Sequence, residues 1–258
     1  MMKTCRMFGL DFLAVNGQEA TGLIAEAAED KQRCLVITPN VDHIVTVMQQ
    51  PEIQNIYRNT KLLFADGMPL VWLSRILPGS KLPARVTGAD LIESVSSACA
   101  QRKLTMALIG GKPGVASSAA AVLERRYPGL RVVGTYSPPF GFEQDESESD
   151  KIVGLCHDWK PDIVCLAFGA PKQELWASKY LAKLPPAPLL CFGAAIDFVA
   201  GEYQRAPLWM QKSGLEWLWR LSQDPVRMFK RYFLRDSMFL IYAANEFFSQ
   251  WRVFRENK

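Results

Sequence analysis

Asp66, in the run Phe64-Ala65-Asp66-Gly67, follows an apolar segment and precedes a flexible glycine. A carboxylate at such a junction serves as a turn or cap residue. Where burial raises its proton affinity, it can instead serve as a general base. Thr38 and Asn40 place a hydroxyl and an amide at another junction of the same kind, where capping and ligand contact are both open. Gly110-Gly111-Lys112-Pro113-Gly114 separates an apolar run from a helix-like segment. Glycines there make either a tight turn or a cradle of backbone amides for phosphate. Arg85, Lys172, Gln173 and Arg205 stand among Gly and Pro, with the reach to touch phosphate or sugar hydroxyls.

Several chemistries are disfavoured. No GK[ST] follows the glycines, so this is not a Walker loop. The pattern also departs from GxGxxG, and no acidic residue ends the next strand, which argues against a nicotinamide enzyme. No DxD motif stands at a strand end. A metal-free transfer would then need cationic side chains to neutralise a departing diphosphate. His43 and His157 lack ligand spacing to a cysteine pair, and the six cysteines form no CxxC. Zinc is not expected, and the thiols read as buried and reduced.

The elements that must carry these residues alternate. Strands are expected over Cys34–Ile37, Lys61–Ala65, Leu104–Ile109, Leu130–Gly134, Ile163–Phe168 and Leu189–Phe192. Between them lie helices near 41–48, 68–76, 89–101, 115–127, 150–159 and 172–181, with Thr38 expected to cap the first and Pro39 to open it. Thr135–Pro139 reads as loop because of its prolines. Such alternation implies a Rossmann-like α/β fold with a mainly parallel sheet flanked by helices, and ligands bind such sheets outside the carboxyl ends of the strands.

The 258 residues carry a net charge of +4, are 49% hydrophobic and are 22% charged, as in a globular domain rather than a disordered chain. All of the net charge falls after residue 211, where nine basic residues meet five acidic ones and eleven aromatics gather. We read residues 1–211 as an α/β body and 212–258 as a basic, aromatic helical appendage. Ser213-Gly214-Leu215-Glu216 fits a capping box, and Asp224-Pro225 a second helix start. On that second helix Arg227, Lys230, Arg231 and Arg235 are expected on one side, with Met228, Phe229, Tyr232, Phe233 and Phe239 opposite. A basic helix with a broad apolar face suits a lipid surface better than nucleic acid. Met1–Gly9 lacks the apolar core of a signal peptide, and no run approaches the ~20 apolar residues that span a bilayer.

Taken in order, these segments resemble the WecG/TagA/CpsF glycosyltransferase family (glycosyltransferase family 26) from about Thr38 to Tyr232. The resemblance is carried by Thr38-Pro39-Asn40, Ala65-Asp66-Gly67, Arg85-Val86-Thr87-Gly88-Ala89-Asp90 and the Gly110–Gly114 turn. It continues through Gly169-Ala170-Pro171-Lys172-Gln173-Glu174, Gly193-Ala194-Ala195-Ile196-Asp197-Phe198, Arg205-Ala206-Pro207 and Gly214-Leu215-Glu216-Trp217-Leu218-Trp219-Arg220-Leu221. It implies an inverting, metal-independent enzyme that needs no cofactor. Such an enzyme moves a sugar from a UDP-sugar to a polyprenyl-diphosphate-linked saccharide in bacterial cell-surface polysaccharide synthesis.

On the matching positions, the resemblance makes Asp66 the general base. Thr38, Asn40 and Gln173 would contact the donor's diphosphate or sugar, and Asp197 with Phe140 or Phe142 would hold the uridine. Arg220, Arg227 and Arg231 would close over the diphosphates. Arg85, Gly110, Gly111, Gly114 and Arg205 complete the expected substrate-binding set. The chain has Ala194-Ala195 where the family often carries a further glycine, so donor identity is not carried over. The expected location is the cytoplasmic face of the plasma membrane, held peripherally by the appendage. No nucleic-acid partner is expected, and a homo-oligomer is left open. A non-catalytic nucleotide-sugar-binding module that docks at membranes is the alternative, since it would use the same pocket and tail without a base.

Overall fold

In the computed structural model, residues 2–229, 232 and 235–256 are described, apart from the side chains of Lys212 and Arg227. The chain opens with an antiparallel hairpin, β1 (Thr4–Met7) and β2 (Leu10–Leu13). Helix α1 (Gly17–Glu29) follows, started by a reciprocal capping box between Asn16 and Glu19.

The apolar runs then become strands β3 (Cys34–Ile37), β4 (Leu62–Leu63), β5 (Thr105–Gly110), β6 (Arg131–Tyr136), β7 (Ile163–Ala167) and β8 (Pro188–Cys191). They form one parallel sheet in the order β4-β3-β8-β7-β5-β6. The central strands β3 and β8 are buried along their whole length. Continuous apolar runs are what a parallel sheet covered on both faces requires.

Helices α2 (Val41–Gln49), α3 (Pro51–Arg58), α4 (Met68–Ile76), α7 (Glu146–Trp159) and α8 (Lys172–Tyr180) cover one face together with the hairpin. Helices α1, α5 (Gly88–Arg102), α6 (Val115–Arg126) and α9 (Ala195–Ala200) cover the other. The six cysteines are free and buried within this sandwich.

Three local expectations need correction. Asn40, not Thr38, caps α2, because its Oδ1 accepts the His43 N–H at 3.3 Å. Strand β6 continues through Thr135 and Tyr136, which pair with Leu108 and Ile109, so the prolines at 138 and 139 limit the chain only beyond them. The capping box at Ser213 does not form. Ser213 closes α10 (Leu208–Ser213), donating its hydroxyl to Met210 O, and Gly214 turns the chain in the left-handed region. Glu216 is thereby released from capping and begins α11 (Glu216–Gln223).

The glycine turn after β5 is dictated by packing. A Cβ on Gly110 would stand 2.4 Å from Ala167 O, and one on Gly111 3.0 Å from Val115. The Gly111 N–H donates to Ala167 O at 3.1 Å. That amide is taken by β7 and is not free for phosphate.

After α12 (Pro225–Phe229), helix α13 (Met238–Glu256) returns along the body. Phe239 is buried against Phe8, and Tyr242 and Phe247 pack on the same core. Gln250 donates to Arg6 O at 2.9 Å and Trp251 to Ile76 O at 3.1 Å. Arg235 forms an ion pair with Asp42 at 3.1 Å. It therefore anchors the appendage to α2 and does not join a free basic face. Among the described residues no helix is long and apolar enough to cross a membrane.

Candidate active site

Parallel strands end on one rim, and the loops that leave β3, β4, β7 and β8 enclose a cleft of about 710 Å³ with α11 and α12. Backbone bonds fix Asp66 in its wall. Past the end of β4, Phe64 N–H donates to Ile37 O at 3.0 Å and Asp66 N–H to Pro39 O at 2.8 Å. Val86 N–H donates to Ala65 O from the other side at 2.8 Å. The strand is extended as an irregular ribbon that presents the carboxyl to the cleft. The Asp66 side chain caps nothing: α4 starts at Gly67 without a side-chain cap. Gly67, not Asp66, is the N-cap residue of α4. Burial lifts its pKa from 3.8 to about 7, opposed by Arg220 and Arg85 and assisted by Glu216 and Asp90.

The charges around it alternate. Glu216 bridges two guanidiniums, Arg85 at 3.1 Å and Arg220 at 3.0 Å. Burial opposes its ionisation, but Arg220 and Arg85 prevail and hold its carboxyl below the usual range. Arg220 also lies over the Phe198 ring, 5.4 Å from its centroid. Asp90 receives Arg205 at 2.6 Å and the Thr87 hydroxyl at 2.8 Å. The buried Nε and Nη2 of Arg205 have no hydrogen-bond partner, so two nitrogens of this fork, with three N–H donors, are unused.

The cleft brings together five of the sequence-predicted residues: Thr38, Asn40, Asp66, Gln173 and Arg220. Gln173 is held by accepting the Gly193 N–H at 3.1 Å. Arg85 stands one residue behind the lining, through Glu216, and Arg205 stands two behind it, through Asp90 and then Thr87. Asp197 lies on α9 beside the cleft-lining Ala195 and Phe198. Burial raises its pKa, helped by Glu202 and opposed by Lys112.

Other expected residues are placed elsewhere. Phe142 is a core residue, buried edge-on against Phe168 at 4.6 Å, so its face is not open to a base. Phe140 is fully exposed, with Lys172 Nζ 5.2 Å from its ring centroid, and does not line the cleft. Gly110, Gly111 and Gly114 are also absent from the lining. Gly114 opens α6 at a φ of +88°, which accounts for its type. The Arg227 side chain and Arg231 lie outside the described residues.

Sequence reasoning missed His43, Phe198, Tyr203 and Met228, all of which line the cleft, and misread Glu216 as a cap. Among the described residues, no three His, Cys, Asp or Glu side chains gather as a metal site.

A carboxylate held near neutrality at the carboxyl edge of a parallel sheet, with arginines beside it, is the equipment of a group-transfer enzyme acting on an anionic substrate. Comparison with known proteins narrows the class. The profile of the glycosyl transferase WecG/TagA/CpsF family matches residues 5–253. The chain belongs to that family and is a glycosyltransferase.

Two relatives are both named N-acetylglucosaminyldiphosphoundecaprenol N-acetyl-beta-D-mannosaminyltransferase. One comes from Bacillus spizizenii and is 28% identical over 200 residues. The other, from Bacillus subtilis (strain 168), is 27% identical over 199. Each alignment covers 77% of this chain and 75% of the relative.

Proposed function

We propose that the protein transfers a sugar, with inversion and without a metal ion, from a UDP-sugar to a polyprenyl-diphosphate-linked saccharide in bacterial cell-surface polysaccharide synthesis. The observation that carries this reading is the Asp66 carboxyl, held with a pKa of about 7 in the wall of a cleft that also contains Arg220. The relatives act on a diphosphoundecaprenol-linked N-acetylglucosamine, as their names state. Transfer from an α-linked nucleotide sugar to a β product goes with inversion.

In the proposed step, Asp66 takes the proton of the acceptor hydroxyl as its oxygen attacks the anomeric carbon. The bond to the diphosphate breaks on the opposite side, and its electron pair leaves with UDP. Arg220, with Arg85 and Arg205 behind it, offsets the charge that develops there. Thr38, Asn40 and Gln173 hold donor diphosphate or sugar, and Asp197 holds the uridine.

An acceptor carried on a membrane lipid supports a peripheral position at a membrane surface, which we assign to the cytoplasmic face. Leu208, Trp209, Val226 and Phe229 around the cleft-bearing appendage are each more than half exposed. Apolar side chains of this kind insert at a bilayer interface.

The test is a screen of UDP-sugars for UDP release, with a short-prenyl diphosphate N-acetylglucosamine acceptor, in the presence and absence of chelator. One donor is expected to be turned over, at a rate that chelator leaves unchanged. Loss of turnover with chelator, restored by a divalent cation, would overturn the metal-free mechanism.

A further inference from the structure

The proposed transfer assigns no part to Glu216, yet both arginines beside Asp66 converge on it. Its two oxygens are divided between them. Oε2 accepts Arg85 Nη1 at 3.1 Å, and Oε1 accepts Arg220 Nη2 at 3.0 Å. Arg220 lies one turn further along α11, at the i,i+4 spacing that brings side chains together. Arg85 arrives from the other side. Its neighbour Val86 donates its N–H to Ala65 O, the neighbour of Asp66, so Arg85 and Asp66 flank one backbone bond. The bridge is largely out of water: the side chains of Arg85 and Glu216 are 16% and 12% exposed.

A carboxylate beside guanidiniums ordinarily pairs with one of them, often through two parallel bonds. Asp66 does not. Among the described residues its carboxyl takes no hydrogen bond and no ion pair, and Arg220 and Arg85 act on it by charge alone. A guanidinium clasped to Asp66 would occupy its oxygens and lower its proton affinity, leaving a poor base. Glu216 supplies the competing partner, one oxygen for each arginine.

Apolar packing does not set this arrangement, because no residue of α11 is buried. The helix that carries Arg220 meets the body through the Glu216–Arg85 pair and through the Arg220 guanidinium over the Phe198 ring. Asp90 also faces Asp66, from α5, and is itself paired with Arg205. Asp42 and His43 from α2, with Glu202 and Asp224, line the same cleft and are common to every variant below.

We propose that Glu216 is a positioning residue for the transfer: by holding Arg85 and Arg220 on its two oxygens it keeps both guanidiniums off Asp66, which stays free to take the acceptor's proton. The inference rests on the reading of Asp66 as the base.

Glu216→Gln keeps the shape and removes the charge. Glu216→Ala removes the carboxylate without setting an amide against a guanidinium. In both, a released guanidinium should pair with Asp66. The acidic limb of kcat/KM should then move about one pH unit or more below that of the wild type, because a like charge has gone and a pairing cation has arrived. The plateau of kcat should fall about tenfold, as expected of a weaker base. UDP affinity should hold or improve, since the cleft has lost a negative charge. If Glu216 merely fastened α11, UDP affinity and kcat would fall together with the limb unmoved, and that result would overturn the proposal.

A second measurement needs no turnover. In the otherwise wild-type protein, Asp66→Asn should raise the thermal unfolding midpoint at pH 8, because it removes an unpaired, desolvated carboxylate. In either Glu216 background the same substitution removes a paired carboxylate, and the gain should vanish or reverse. Equal gains with and without Glu216 would overturn the proposal. A protein that transferred no sugar would refute the proposed reaction while leaving this coupling to be judged by unfolding, and an active enzyme with equal gains would refute the coupling alone.

Discussion

Asp66→Asn is expected to lower kcat by about 10²–10⁴-fold, the range contributed by a positioned general base. UDP affinity should stay within about threefold of the wild type, because the amide keeps the shape of the wall and the arginines keep their charge. UDP release and calorimetric titration with UDP read the two quantities separately. Loss of affinity equal to the loss of rate would make Asp66 a binding residue instead of the base.

The same variant carries a stability signature. The folded pKa of about 7 exceeds the ordinary 3.8, so the folded protein holds this proton more tightly than the unfolded chain. The stabilisation from that proton is complete below about pH 4 and is lost as pH rises through about 7. At pH 8 the wild type therefore bears an ionised, desolvated carboxylate that Asp66→Asn lacks. The variant should be more stable there by about 1–3 kcal/mol, and the difference should shrink toward pH 5. Thermal unfolding at the two pH values measures it.

Arg220→Gln should reduce kcat/KM by about 10²–10³-fold, the loss that follows removal of one preorganised charge donor at a transition state. A second effect adds to it. Arg220 is the largest of the charges that hold Asp66 down, and it shares Glu216 with Arg85. Without it, Glu216 stays beside Asp66 with a single counter-charge, and the pKa of Asp66 rises further. The optimum should move to higher pH along with the fall in rate. Arg220→Lys should recover part of the rate, since an ammonium keeps the charge but not the two-sided fork. A loss under threefold in Arg220→Gln would remove this arginine from the chemistry.

The sheet was legible because its strands are short apolar runs bounded by Gly, Pro and Asp, and parallel pairing follows once helices separate them. The β1–β2 hairpin and α1 were not read, although Asn16 and Glu19 carry a capping-box signature. Thr38, Asn40 and Asp66 could be picked out because they stand at strand ends, where an α/β sheet exposes its ligand edge, and Gln173 because it stands among Gly and Pro with reach to a ligand. Glu216 and Phe142 were misassigned because their roles depend on tertiary neighbours. Glu216 looks like a cap until Ser213 ends the preceding helix and two arginines meet it. Phe142 looks like a loop aromatic until Phe168 and Trp176 surround it. Glu174 stands beside a recognised residue, but no local pattern shows that it is buried 4.0 Å from a histidine more than a hundred residues away.

The most direct test of Asp66 as the base is the pH dependence of kcat/KM in the wild-type enzyme with its identified donor. Diphosphate diesters have no ionisation near neutrality, so the limb belongs to the enzyme. Burial raises Glu174 to about 7 as well, and the profile is therefore also recorded in Glu174→Gln. The rate should fall about tenfold per pH unit below about 7 and level off above it, in both proteins. A flat profile from pH 5.5 to 8.5, or a limb that vanishes in Glu174→Gln, would contradict a carboxylate base at position 66.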